Sequence, residues 1–279
     1  MIVTISLRSW RRHWRLAAAA AILAVALPAW WRDVHAGSRG GSNPHLVWYV
    51  KTKQKVAALT FDDGPSPTAT PKILNILAAH HARATFFVLG QAARQYPEIV
   101  RQEARAGMEI GNHTYAHINL KLHSKEQDAE DLKHTQKLVG KIIGRAPDLM
   151  RPPYGAYDAS VITVAHQLKL KVVLWSWTED SKDWTNPGVS SIVSRVVNHI
   201  QPGDIVLFHD GGGNRDQTVA ALPLILNDLT AMGYRLVTVS QLLTYSAPQP
   251  VVRRRQGELV PTERVAATKT IIGCRGHCR

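Results

Sequence analysis

Two adjacent carboxylates, Asp62 and Asp63, follow the apolar run Val56–Phe61, and Gly64-Pro65 turns the chain directly after them. Neighbouring side chains at a strand end diverge, so one carboxylate can hold a metal ion while the other faces a substrate. Farther along, His113-Thr-Tyr-Ala-His117 sets two imidazoles four residues apart, a separation at which one helical turn presents both to one ion. Two nitrogens and a carboxylate leave a coordination position open to water, the composition of a catalytic rather than a structural zinc site. Taken singly, an acid pair is also common in turns, and a His pair is also what a solvated helix carries. Arg151-Pro-Pro-Tyr154 closes another run with two prolines, which stiffen the loop. Its permanently charged Arg can hold a carboxylate in a set orientation, or simply make a loop ion pair. Asp180-Ser-Lys-Asp183-Trp184 follows the aromatic run Leu174–Trp177, and an acid beside Trp suits a wall facing a sugar as well as it suits plain packing. Leu207-Phe208-His209 ends on the side chain most easily tuned as an acid or base near neutral pH.

The elements that must position these groups are legible as seven β-branched or aromatic-rich runs: Val56–Phe61, Ala84–Leu89, Met108–Gly111, Asp148–Arg151, Lys171–Trp177, Asp204–Phe208 and Tyr234–Val239. Segments of helical period separate most of them, at Thr70–His81, Tyr96–Ala106, Lys125–Ile143, Ala159–Leu168, Val189–Ile200 and Thr218–Met232. This alternation argues for an α/β fold with parallel strands and crossover helices, and periodicity alone leaves a closed barrel and an open sheet both open. Five of the runs end in, or soon precede, an ionisable cluster. Loops at the carboxyl ends of such strands converge on one face, so clusters distant in sequence become neighbours there. The remaining histidines His80, His81, His123, His134 and His166 sit on or near the helical segments without a partner cluster and read as surface or core residues.

The chain has 279 residues at 45% hydrophobic content, which supplies the core of one large domain with extensions at its ends and excludes a wholly disordered chain. No internal repeat is visible, which argues against solenoids and propellers. The net charge of +13 is concentrated at the ends: residues 1–32 hold five Arg and no acid, residues 246–279 hold seven Lys or Arg against two Glu, and the rest is nearly balanced. A nucleic-acid-binding face is therefore not expected. Arg8, Arg11, Arg12 and Arg15 precede the uncharged run Leu16–Trp31, the pattern of an export signal or membrane anchor over residues 1–36. Retention as an anchor, with Trp30 and Trp31 at the interface, and cleavage after Ala29 or Ala36 to release a secreted chain are both compatible with that pattern. Residues 37–54 read as a linker leading into a domain over 55–245, and residues 246–279 as a basic tail. Cys274 and Cys278 suit a terminal disulfide loop or ordinary thiols, and their spacing matches no strong zinc signature.

Five motifs stand in order along the domain: TFDDG at 60–64, HTYAH at 113–117, RPPYG at 151–155, DSKDW at 180–184 and LFH at 207–209. Together they resemble the motifs of the NodB-like polysaccharide deacetylases, carbohydrate esterase family 4, over residues 55–243 and without departure at a motif position. The resemblance implies a distorted (β/α) barrel of about seven parallel strands. It implies that Asp63, His113 and His117 hold a divalent metal, zinc first, with cobalt or another transition ion as alternatives. It makes Asp62 the general base that deprotonates the metal-bound water, with Arg151 orienting it, and gives the backbone N–H of Tyr154 a part in stabilising the oxyanion. His209 would protonate the leaving amine and Asp183 would tune it, while Leu207 and Trp184 would line the pocket for the acetyl methyl and the sugar. The implied substrate is an extracytoplasmic polysaccharide containing N-acetylglucosamine, with peptidoglycan ahead of chitin-type oligomers. O-acetyl ester hydrolysis of the xylan type, and an inactive wall-binding module, are the alternatives. Amide hydrolysis needs an activated water, a polarised carbonyl and an acid for a poor leaving group, and the sequence holds one candidate for each.

Overall fold

Seven consecutive buried residues, Val56–Asp62, form β2, a strand covered on both faces as expected in the middle of a parallel sheet. Around it the computed structural model describes residues 45–246, so the N-terminal basic and apolar segment and the tail with Cys274 and Cys278 lie outside the described residues. In chain order the strands are β1 (Leu46–Val47), β2, β3 (Ala84–Val88), β4 (Glu109–Asn112), β5 (Leu149–Met150), β6 (Lys171–Val173), β7 (Ile205–His209) and β8 (Arg235–Leu236). The helices between them are α1 (Thr70–Ala79), α2 (Gly90–Gln95), α3 (Pro97–Arg105), α4 (Lys125–Ile143), α5 (Ala159–Gln167), α6 (Val189–Val197), α7 (Asp216–Ala231) and α8 (Val239–Leu243). All ladders are parallel, in the order β1-β6-β5-β4-β3-β2-β7, with β8 added beside the start of β2.

The barrel closes between β6 and β7 without a regular ladder. Lys171–Trp177 reads in sequence as one strand, but β6 stops at Val173. Beyond it Ser176 N–H donates to Ile205 O at 2.9 Å, Leu207 N–H to Glu179 O at 2.9 Å and Ser181 N–H to Leu207 O at 3.3 Å. Trp177 and Thr178 form a turn between those contacts, closed by the Glu179 N–H donating to Ser176 O at 2.8 Å, and the turn brings the segment back onto β7. The last expected strand, Tyr234–Val239, is likewise shortened to Arg235–Leu236. There Thr238 caps α8, its side chain taking the Gln241 N–H while Gln241 returns a bond to the Thr238 N–H. That Thr-x-x-Gln box is a helix-start signal that overrides the β-rich composition before it. Short α2 and two-residue β1 carry too few residues to show a period, and β1, inside the expected linker, pairs with β6.

Alternation along the strands sorts side chains into two cores. Leu59, Phe61, Phe86, Val88, Val206 and Phe208 face outward and pack under α1 and α7. Phe61 stacks on Phe86 at 5.0 Å and on Phe208 at 5.6 Å, locking β3, β2 and β7 together. Val56, Ala58, Phe87, Leu149, Val173 and Ile205 belong to the second cluster, which fills the barrel. The aromatic triplet joins the strands that carry the acids and His209 on their outward face. Phe61→Ala is expected to destabilise the protein by about 3–5 kcal/mol in urea unfolding, and a loss under about 1 kcal/mol would show that the triplet does not hold these strands.

Candidate active site

The carboxyl ends of the strands bring the polar clusters to one end of the barrel. Period two sends Thr60 and Asp62 of β2 to the same inward face, opposite Arg151, which follows β5. Arg151 is fully buried. Its Nη1 donates to Asp62 Oδ1 at 2.8 Å and to Thr60 Oγ1 at 2.7 Å, its Nη2 to Leu174 O at 2.8 Å and its Nε to Val173 O at 3.2 Å. The guanidinium lies 4.3 Å from the centre of the Phe87 ring. Gly111 on β4 makes room for that ring, since a Cβ there would overlap it. Burial works against the Arg151 charge, and the Asp62 charge and hydrogen bond oppose that effect.

Asp63 follows in a left-handed conformation, φ 72°, which turns its side chain away from that of Asp62. Its Oδ1 lies 3.4 Å from His113 Nε2 and 3.3 Å from His117 Nε2, and the three ligand atoms all fall within 4.8 Å of one another. His113 Nδ1 meets Arg151 O at 2.7 Å, which assigns the proton to Nδ1 and leaves the Nε2 lone pair facing the cluster. Asp63 Oδ1 is buried and accepts no hydrogen bond of ordinary geometry. Its two close nitrogens are acceptors when neutral, so three lone pairs point at one place, which a cation would satisfy. Burial alone would raise the Asp63 carboxyl, but His113, ahead of His209 and His117, brings it down to about 2 when these imidazoles are protonated in the absence of an ion. Burial, ahead of the other influences, lowers the pKa of His117 and favours the neutral ligand form. The donor set therefore fits a divalent metal.

The two histidines do not share a helical turn. β4 ends at Asn112, and the chain runs on as a loop with left-handed Thr114 (φ 68°) and His117 (φ 58°), setting the rings 5.2 Å apart. A strand end already aims His113 into the barrel mouth, so the second ligand must be brought back by a reversing loop rather than by helical rise.

A second polar pair faces this group across the β2–β7 ladder, where Asp62 and His209 are direct partners. His209 Nδ1 bonds Asp183 Oδ1 at 2.7 Å, while Asp183 Oδ2 accepts the His209 backbone N–H at 2.9 Å and the Thr218 hydroxyl at 2.8 Å. Of the two acids in the DSKDW segment it is thus Asp183 that meets His209. Asp180 instead pairs with Lys182 at 2.6 Å. Burial pushes the His209 pKa down, but Asp183, aided by Asp62 and Asp63, outweighs it and leaves the value raised. Asp183 is lowered: its burial is outweighed by the bonds and charge of His209 and by Thr218.

Leu207 is buried two residues before His209 on the same inward face. Tyr154 is 69% exposed, left-handed at φ 61°, with its ring 4.6 Å from His117, and Trp184 is 52% exposed with Lys182 Nζ 5.6 Å from its ring centre. All ten residues singled out in the sequence thus lie at the carboxyl-end mouth or on the loops that form it. Thr60 and Thr218 were missed as partners; the period-two spacing before Asp62 was a signal for Thr60, whereas nothing local marks Thr218. His134 also has a partner after all, stacked on Tyr115 at 4.4 Å.

Residues 49–173 match the family model described as polysaccharide deacetylase. The chain is also 46% identical over 201 residues to a peptidoglycan-N-acetylglucosamine deacetylase of Bacillus cereus, covering 72% of this chain and 94% of that protein. The chain belongs to the polysaccharide deacetylase family. A second member, a chitooligosaccharide deacetylase of Azorhizobium caulinodans, is 36% identical over 67% of this chain and 94% of its own length. Among solved deacetylases, the Bc1960 peptidoglycan N-acetylglucosamine deacetylase superposes with a TM-score of 0.69 at 33% identity, over 72% of this chain and 94% of that one. The family is metal-dependent, and in this member Asp63, His113 and His117 form the one cluster among the described residues able to hold an ion.

The Asp183–His209 pair generates a pH signature. The raised His209 contributes stability that is fully present below its ordinary 6.5 and is lost as pH rises through the folded value. The lowered Asp183 contributes stability present above its ordinary 3.8 and lost as pH falls through the folded value. Asp183→Asn should therefore destabilise the metal-free protein most between 3.8 and 6.5, with the difference shrinking toward alkaline pH. Urea unfolding across a pH series checks this, and an equal penalty at about pH 5 and about pH 9 would show that the pair is not charged.

Proposed function

We propose that this chain is a metal-dependent de-N-acetylase acting on N-acetylglucosamine units of an extracytoplasmic polysaccharide, peptidoglycan first and chitin-type chains second. The observation that carries it is the pair of opposed, separately oriented groups flanking the triad: Asp62 held by Arg151 on one strand and His209 held by Asp183 on its neighbour. Asp63, His113 and His117 would hold the ion, and their two nitrogens and one oxygen suit zinc, with cobalt or another transition ion as alternatives. When bound, such an ion supplies Lewis acidity that polarises the acetyl carbonyl and acidifies water.

The chain's own residues supply the proton transfers. With Oδ1 engaged by Arg151, Asp62 keeps Oδ2, 3.8 Å from His113 Nε2, to take a proton from the attacking water. His209 donates Nδ1–H to Asp183, so its Nε2 carries the second proton of the imidazolium to the departing nitrogen. An amine is a poor leaving group unless protonated, and a histidine with a raised pKa favours amide over ester hydrolysis. The backbone N–H of Tyr154 serves the developing oxyanion, a contribution of about 2.7–4 kcal/mol for one such donor. Leu207 receives the acetyl methyl and Trp184 a sugar face.

The chemistry is tested by acetate release from chitopentaose and purified peptidoglycan by the zinc-loaded protein. Release is expected from at least one, and His117→Ala should abolish both turnover and tight metal binding. Full activity in that variant would sink the assigned triad, and release only from acetylated xylan would move the reading to an ester.

Export rests on the Arg8–Arg15 cluster before Leu16–Trp31, with the membrane as partner through that segment and the catalytic domain facing the envelope. Among the described residues no helix is long and apolar enough to cross a membrane. The full chain should sediment with membranes and resist alkaline carbonate, while removal of residues 1–36 should release it. A full chain recovered in the cytosol would overturn the export reading.

A further inference from the structure

Both imidazoles of the triad hang from one loop, and that loop is held by groups outside the triad. Thr114 and His117 adopt left-handed φ values of 68° and 58°. Such a conformation is unfavourable for a non-glycine residue and persists only where its surroundings impose it. The middle residue, Tyr115, is where the restraints converge. Its N–H donates to Asp131 Oδ1 on α4 at 2.8 Å, and its carbonyl accepts the Gln91 N–H of α2 at 2.9 Å. Its ring lies flat on His134, centroids 4.4 Å apart at 11°, one turn of α4 beyond Asp131. Gly90 of α2 packs against the same ring so closely that a Cβ would overlap it. Buried Asn112 completes the attachment, its Oδ1 accepting the Thr114 N–H at 2.8 Å and its Nδ2 donating to Leu132 O at 2.9 Å. α4 thus grips the loop through Asp131, Leu132 and His134.

Among these contacts the Asp131 bond is the one made by a charged group to the loop backbone midway between His113 and His117. Hydrogen bonds to charged groups are shorter and stronger than neutral ones, so this bond helps offset the loop's conformational cost. Asp131 is half-buried on the helix and touches none of the reacting groups.

We propose that Asp131 is a positioning residue for the metal site: by fixing the Tyr115 N–H it sets the separation of His113 and His117, and hence the affinity and geometry of the ion they share. The proposal rests on the reading of Asp63, His113 and His117 as a metal triad. Outer partners of metal ligands are typically worth about 10–100-fold in affinity, the size of effect expected here.

The test uses the full chain, stripped of metal and titrated with Co2+, with the dissociation constant and the visible cobalt absorption as readouts. Asp131→Ala is expected to weaken Co2+ binding about 10–100-fold and to shift the absorption band. Asp131→Asn keeps an oxygen acceptor for the Tyr115 N–H and should restore most of the affinity and the band. A merely structural role would lower the unfolding temperature of the metal-free protein without changing the cobalt spectrum of the folded fraction. If Asp131→Ala does not fold, Asp131→Ser, too short to reach Tyr115 but polar on a half-exposed helix face, should show the same loss. Wild-type affinity and spectrum in the folded Ala or Ser variant would overturn the proposal while leaving the triad intact. A wild-type chain whose Co2+ binding is indifferent to His117→Ala would overturn the triad itself, and the proposal with it.

Discussion

The buried guanidinium of Arg151 is the contact on which the mouth of this barrel depends. A charge removed from water must be met by hydrogen bonds on every side or it destabilises the fold. Here the acceptors come from β2, through Thr60 and Asp62, and from the end of β6, through Val173 O and Leu174 O. The same residue ties β4 to β5 with its own backbone, donating its N–H to Asn112 O at 2.9 Å and offering its carbonyl to His113 Nδ1. The geometry of the base and the tautomer of a metal ligand are therefore consequences of how one cation is accommodated. The irregular closure is part of that accommodation, because two carbonyls at the end of β6 turn to Arg151 where the regular strand stops.

Strain is distributed to match. Of the eight non-glycine residues with positive φ among the described residues, Asp63, Thr114, His117, Tyr154, Lys182 and Asn186 lie in the loops of the site. The other two, His81 and Lys169, follow helices α1 and α5, where a left-handed residue is an ordinary terminator. The outward aromatic stack and the packed barrel interior hold the strand ends still, so the loops can remain in conformations they would not choose alone.

Electrostatics follow from the same burial. Asp210, beside His209 in sequence, turns away from the pocket and takes the hydroxyl of Thr70. Burial, with Asp63 and Asp62 adding to it, pushes its carboxyl up to about 7. On the flank, burial raises Glu179 to about 8. At the mouth each acid faces a nitrogen partner: Asp62 meets Arg151, Asp63 lies beside His113 and His117, and Asp183 meets His209.

Much of this was legible in the chain. Side-chain period two and the position of each cluster at a strand end are local properties, so the sequence was enough to bring Asp62, Asp63, His113, His117, Arg151, Asp183 and His209 to one end of a parallel α/β fold. The helix Lys125–Ile143 was also readable to its bounds, because a capping box opens it and a left-handed Gly144 ends it. What no local pattern could decide were the choices made by contacts distant in sequence. These include Thr218 as a further partner of Asp183, a loop rather than a helical turn carrying His117, and the irregular segment that closes the barrel. They also include the support of Tyr115 by Asp131 and His134. Each depends on which atoms meet across the barrel mouth once the strands have paired, and only the tertiary structure specifies that.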